Sequence, residues 1–283
     1  MIDLFVGLDR LAPGSAEALR WALGVAGTPA TGVVLDAGCG TGADLATLLA
    51  AVPRGRVVAI DRVERFVARA GARYPRVETH VADMAEPPGG PFDLIWSGGA
   101  IASLGVGAAL EAWRGHLAPG GRIAFSDLCW RTDTPPDAAQ AFWPEERVER
   151  LTAPALEARV REAGYEILGS RWLGTPGWAS YYGPLEVELD LSEVEAEAVA
   201  RLRNEIALWR THGVNSDIGL WSARRPAHDV TLALPRATSM QHMSSLECIM
   251  TAATVSLLRT GLPGLTGPCC AGYAVLALAR GRP

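Results

Sequence analysis

The sequence predicts an α/β protein in which mostly parallel strands form one doubly wound sheet, covered by helices on both faces. Three observations predict it. Short apolar runs alternate with helical patterns through the first two-thirds of the 283 residues, the order that builds a parallel sheet. The runs are continuous Val, Ile and Leu rather than alternating, as strands buried on both faces require. One of them ends in an acid and opens directly into glycines at 38, 40 and 42 before a helix.

In order, Ser15 can cap a helix over 16–26, and 1–30 read as an N-terminal lid or helix. A strand at Gly32–Asp36 leads to a helix from about Gly42 to Ala51. Arg56–Asp61 is the next strand, and Val63–Ala72 its return helix. Shorter strands follow at Val77–Val81 and Phe92–Trp96. A helix at Val106–Leu117 passes through Pro119-Gly120-Gly121 into a strand at Arg122–Asp127. Residues 128–151 mix Trp130, Pro135, Pro136, Phe142, Trp143 and Pro144, a composition suited to a folded loop. A helix at 153–163 and a strand at 165–173 resume the sheet. Gly174–Leu185 again reads as irregular, and 128–151 and 174–191 are assigned as lid segments. Ser192 to Glu195 is a capping box that starts a helix reaching His212. Residues 214–270 look foreign to the rest, with three of the five methionines and three of the five cysteines, and read as an insertion or poorly ordered segment. Ala271–Arg280 then supplies the closing strand, with Ile218–Arg224 a weaker strand pattern. The core is therefore placed at 31–213, closed by 271–283.

Composition excludes several functions. The net charge is −5 and all 26 basic residues are arginine, so lysine Schiff-base chemistry and a phosphate-loop lysine are absent. An acidic balance disfavours a nucleic-acid surface. No apolar run reaches the roughly 18–20 residues of a membrane span. The amino terminus does not read as a signal peptide, and the five cysteines form no C-x-x-C pair, so a cytoplasmic protein with reduced thiols is expected. His242 and Cys248 have no further ligands nearby, and no metal site is expected.

The chemistry concentrates at Asp36-Ala37-Gly38-Cys39-Gly40-Thr41-Gly42. Missing β-carbons let the chain turn sharply and approach a ligand. The spacing is G-x-G-x-G rather than the G-x-G-x-x-G of dinucleotide sites. Asp36 would repel a pyrophosphate but suit a cation bearing an amino group and a sulfonium. Asp61, 25 residues on, can accept both hydroxyls of a ribose, with Arg62 beside it. Asp83 can accept from an exocyclic amine while the Met84 thioether packs on an aromatic ring. Ser97 stands in Trp96-Ser97-Gly98-Gly99-Ala100, whose glycines keep a crevice open. The proline–aromatic motif that base-directed amino methyltransferases carry there is absent, which further disfavours a nucleic-acid substrate.

These stretches, with Leu117-Ala118-Pro119-Gly120-Gly121-Arg122, resemble the ordered motifs of class I S-adenosylmethionine (SAM)-dependent methyltransferases over about residues 30–130. Asp133-Thr134-Pro135-Pro136, Phe142-Trp143, Glu162-Ala163-Gly164-Tyr165 and Tyr181-Tyr182-Gly183-Pro184-Leu185-Glu186 resemble features of a small-molecule branch similar to the ubiquinone/menaquinone-biosynthesis type. The resemblance implies a Rossmann-like sheet of about seven strands with an antiparallel last strand, SAM as cofactor, and a lid over a small-molecule acceptor. Asp36, Ala37, Gly38, Gly40, Thr41, Asp61, Arg62, Asp83, Met84 and Ser97 are then the expected cofactor residues. Trp130, Trp143, Trp178, Tyr181 and Tyr182 could roof the acceptor. His80, His116, Asp127 and Tyr182 are the candidate catalytic groups, although positioning alone can drive methyl transfer. A SAM-binding protein without catalysis and a nicotinamide-dependent oxidoreductase are the alternatives. A homodimer is compatible with the chain.

Overall fold

The computed structural model describes residues 2–137, 140, 151–191 and 196–226. Fifteen longer elements follow one another: α1 (Ile2–Gly7), α2 (Ala16–Ala26), β1 (Val33–Ala37), α3 (Leu45–Ala51), β2 (Arg56–Asp61), α4 (Glu64–Arg73), β3 (Glu78–Val81), β4 (Phe92–Gly98), α5 (Val106–Trp113), β5 (Leu117–Trp130), α6 (Ala153–Glu162), β6 (Glu166–Trp172), α7 (Thr175–Leu191), α8 (Ala196–His212) and β7 (Ser216–Arg224). The strands form one seven-stranded sheet in the order β3-β2-β1-β4-β5-β7-β6. The first five pair in parallel, and β7 runs antiparallel to both its neighbours. The order reverses between β1 and β4, which places a crevice at the carboxyl ends of those strands.

Two apolar layers cover the sheet. On one face Leu19, Ala22 and Leu23 of α2, Leu45 and Leu48 of α3 and Leu185 of α7 pack on Val34, Val57 and Leu94. On the other, Leu110 and Trp113 of α5 and Leu156 and Val160 of α6 pack on Leu35, Ile60 and Ile95. Burying each valine, leucine or isoleucine among them contributes about 1.5–3 kcal/mol. The caps follow local chemistry. Ser15 Oγ accepts from Ala18 N at 3.0 Å, and Gly27 closes α2 in the left-handed conformation.

Four expectations change. The antiparallel strand is Ser216–Arg224, within the stretch read as foreign. Its first eight residues are all buried, but Ser216, Asp217 and Ser222 break up what would otherwise read as an apolar run. Trp221 stacks on Phe125 at a centroid distance of 5.5 Å. Thr175–Leu191 is a helix, not an irregular segment. Trp178, Tyr181, Tyr182, Leu185 and Leu189 are its large buried side chains, at helical spacing disguised by Gly183 and Pro184. β5 begins at Leu117 and ends at Trp130, so Trp130 closes a strand rather than opening a lid. The helix expected from Gly42 starts at Leu45, because the glycines stay in the turn. The Ser192–Glu195 capping box, Trp143, and the strand expected at Ala271–Arg280 lie outside the described residues.

Candidate functional site

The glycine turn is held by its neighbours. Gly38 N and Cys39 N both donate to the Ile60 carbonyl at 2.9 Å. Gly40 N donates to Asp61 Oδ2 and Val63 N to Asp61 Oδ1, each at 2.9 Å. Gly38 has φ +84°, and a Cβ there would lie 2.3 Å from the Ala100 Cβ, so no larger residue fits where this loop meets the end of β4. Between them the loops leave a cleft of about 150 Å³ walled by Asp36, Gly38, Gly40, Asp44, Asp61 and Gly99. A second cleft of about 100 Å³, lined by Arg62, Ala82, Met84 and Ser103, adjoins it and shares Gly38, Asp61 and Ala100. Trp113 Nε1 donates to the Met84 carbonyl at 2.7 Å and fixes that wall.

Three carboxylates face the first cleft. Asp36 is 2% exposed, and its Oδ2 is buried with no hydrogen-bond partner among the described residues. Burial raises its carboxyl well above the ordinary range, Asp44 adds to the rise, Arg10 opposes it and Asp61 reinforces it. Asp44 is instead satisfied: Arg10 Nη2 donates to Oδ1 at 2.5 Å and Trp96 Nε1 to Oδ2 at 2.8 Å. Burial, with the nearby Asp36 and Asp61 charges, pushes the Cys39 thiol far up, so it stays protonated.

Arg10 belongs to a strap, residues 8–14, that runs over this cleft. Thr41 Oγ1 donates to the Leu8 and Asp9 carbonyls at 2.9 and 3.0 Å. Arg69 and Arg73 pair with Asp9 at 2.7 and 3.1 Å. At its far end Gly14 N donates to the Gly177 carbonyl at 3.2 Å and Ser180 Oγ to the Gly14 carbonyl at 2.5 Å, which ties the strap to α7. Below α7, Asp217 gathers donors from Trp178 Nε1, Ile218 N, Arg131 Nη1 and Gly174 N at 2.8–3.2 Å.

The structure brings together Asp36, Gly38, Gly40, Thr41, Asp61, Arg62 and Met84 of the expected cofactor residues. Ala37 and Ser97 lie beneath them. Ser97 is fully buried and its hydroxyl donates to the Ala37 carbonyl at 2.9 Å, joining β4 to β1. Asp83 lines neither cleft; it accepts from Ala85 N and from Arg62 at 2.5 Å, and these hold its carboxyl below the ordinary range. The expected aromatic roof is a packed cluster. Trp178, Tyr181, Tyr182 and Trp209 pack ring against ring, stacked or tilted, with centroids 5.1–5.7 Å apart, and the Tyr182 hydroxyl donates to Glu205 at 2.9 Å. Trp130 lies at the end of β5, its N donating to the Leu151 carbonyl at 3.0 Å. His80 sits on edge strand β3 with its ring 2.9 Å from Glu78. His116 lies just before β5, at the opposite end of the sheet from the clefts. Asp127 is near the carboxyl end of β5, where Oδ1 accepts from Leu128 N. Sequence reasoning missed Arg10 and Asp44. Asp44 looks like an ordinary helix cap, yet its side chain caps nothing, and Arg10 is 34 residues away from it in sequence.

The seven-stranded sheet has the Rossmann-like fold of solved SAM-dependent methyltransferases. Residues 34–121 match the family model described as a methyltransferase domain. A trans-aconitate 2-methyltransferase from Azoarcus sp. (strain BH72) is 38% identical over 94 residues, 32% of this chain and 37% of that protein. The chain thus matches little more than a third of that curated relative's length. A SAM-dependent methyltransferase from Geobacter sulfurreducens, solved with S-adenosyl-L-homocysteine, superposes with a TM-score of 0.69 at 21% identity, covering 80% of this chain and 98% of that one. The [4+2]-cyclase SpnF superposes with a TM-score of 0.63 at 19% identity, over 78% of this chain and 84% of that one.

Proposed function

We propose that this chain is an enzyme that transfers the methyl group of SAM to a small-molecule acceptor. The unpartnered Asp36 oxygen carries the reading. A buried carboxylate without a partner is costly, and a cationic amino group in the adjoining cleft satisfies it. Asp61, already oriented by Gly40 N and Val63 N, has lone pairs left for ribose hydroxyls. The second cleft, with Ala82 and Met84, suits a flat ring. When bound, SAM supplies a methyl group already activated on a sulfonium.

The residues of the chain hold the reactants and exclude water. A small space lies behind the Arg10–Asp44 pair, walled by Pro13, Trp96, Ser126, Leu173, Ile218 and Leu220. Its volume is about 10 Å³, room for no more than about one water. An acceptor larger than a water therefore needs the 8–14 strap to shift before this space can hold it. Positioning of this kind supplies effective molarities of about 10⁵ M and above, and Asp127 is the candidate base best placed along the sheet. The trans-aconitate relative supports a small-molecule acceptor. This reading keeps the enzyme in the cytoplasm; among the described residues no helix is long and apolar enough to cross a membrane.

Calorimetric titration with SAM, S-adenosylhomocysteine and NAD tests the cofactor. Micromolar binding of both sulfur ligands, lost in Asp61→Ala, is expected; binding of NAD alone overturns it. Transfer of labelled methyl to candidate acceptors tests the reaction. SAM binding without transfer to any acceptor would favour the second reading, a SAM-binding protein of another activity, a reading kept open because SpnF is named for cyclisation.

A further inference from the structure

A cleft of about 530 Å³ lies at the other end of the sheet, walled by the start of β5 from Leu117 to Arg122 and by Arg224, Arg225 and Pro226 after β7. The glycine turn sits at the carboxyl ends of β1 and β4, and this cleft at the amino end of β5. Arg122 precedes Ser126, the ladder partner of Gly98, by four residues, which is about 13 Å along a strand.

Three guanidinium groups line it, and among the described residues no Asp or Glu does. Arg122 and Arg224 are direct partners in the β5–β7 ladder, and like charges in that position repel. Across β7, Arg224 partners Glu166, with Nε 2.8 Å from Oε2. That one carboxylate is held below its ordinary range by Arg224 first and also by Arg122. Arg122 Nε is buried with no hydrogen-bond partner among the described residues, and a guanidinium N–H in that state is costly. The repulsion between Arg122 and Arg224, the single carboxylate of Glu166 that these two share and the unsatisfied buried Nε of Arg122 are all relieved by the same thing: an oxyanion in the cleft.

We propose that this cleft binds a small molecule carrying adjacent oxyanions, a diphosphate or a polycarboxylate, at a site separate from the SAM cleft. The planar fork of arginine matches either group with paired hydrogen bonds. A bound anion would hold β5 to β7, and β7 carries Ile218 and Leu220 in the acceptor wall.

The test is calorimetric titration of the full chain with inorganic pyrophosphate and, separately, with citrate, at fixed ionic strength. One anion per chain is expected, with affinity at least tenfold weaker in the Arg122→Gln/Arg225→Gln double variant. Arg122→Lys, which keeps the charge and loses the fork, should fall between. SAM affinity measured on the same samples should not move, which shows that the variants fold and keeps this test independent of the proposed reaction. The anion that binds more tightly assigns the ligand class. Failure of both anions to bind at millimolar concentration, binding at more than one per chain, or equal affinity in parent and variants overturns the proposal.

Discussion

Burial holds the Asp36 carboxyl well above the ordinary carboxylate range, so this residue contributes to folding in the opposite sense from a paired surface acid. A carboxyl that keeps its proton more tightly folded than unfolded contributes stability at low pH. That contribution is lost as pH rises from the ordinary value through the raised one. Asp36→Asn should therefore raise the thermal midpoint at pH 7, by about 2–4 °C for each kcal/mol recovered, with the gain shrinking towards pH 4. The same substitution should weaken SAM at least tenfold, because the amide cannot answer a cationic amino group. Differential scanning calorimetry beside SAM titration reads both effects. A variant no more stable than the parent, or one that binds SAM equally well, would show that Asp36 is not the cation partner. A companion effect follows from the cofactor's charge. A cation beside Asp36 favours its ionised form, so SAM binding should release a proton and tighten as pH rises through the carboxyl's raised value in the free protein. Titration in two buffers of different ionisation enthalpy measures that proton directly. The placement of Asp36 and Asp61 was legible in the sequence, since each lies near the carboxyl end of a strand at the doubly wound crevice. Arg10 was not: nothing in a strap of mixed composition announces which distant carboxylate it will meet.

At the level of elements, the two misread segments share a cause. In β7 the apolar pattern is interrupted by Ser216, Asp217 and Ser222, polar residues buried within the structure. Asp217 earns that burial by accepting from Trp178, Ile218, Gly174 and Arg131, a hub no local pattern reveals. In α7 two prolines and two glycines hide a helix whose buried face is largely aromatic. Strands β1, β2, β4 and β5 were legible because they are continuous apolar runs whose partners lie on both faces. Strands β3 and β6 also fall where expected; tertiary packing, not propensity, fixes β7 and α7. Gly219 gives a sharp test. A Cβ there would lie 2.1 Å from the Trp221 ring, which is itself 1% exposed and stacked on Phe125. Gly219→Ala must displace that indole and should cost about 1–3 kcal/mol, the usual range for overpacking. Urea unfolding should show a lower midpoint with an unchanged slope. A neutral outcome would mean that β7 is not packed in this register.

For the molecule as a whole, the decisive question is where the sheet ends. Reading 214–270 as an insertion makes its removal harmless, because 271–280 would close the sheet. The structure closes it with Ser216–Arg224, paired on one side with β5 from Arg122 to Trp130 and on the other with β6 from Glu166 to Trp172. Deleting 214–269 would take out a central strand, leave β5 and β6 with exposed edges, and strip Asp217 from beneath α7. A chain ended after Pro226 keeps all seven strands, the glycine turn and the strap. The two deletions are therefore expected to differ sharply. The one ended after Pro226 should unfold cooperatively and bind SAM within about threefold of the full chain, a difference well under 1.4 kcal/mol. The internal deletion should yield insoluble or non-cooperative protein. If instead the internal deletion folds and binds SAM, another strand has taken the place of β7, and the topology drawn here is wrong. If the chain ended at Pro226 fails to fold, residues beyond the sheet supply stability that its seven strands do not.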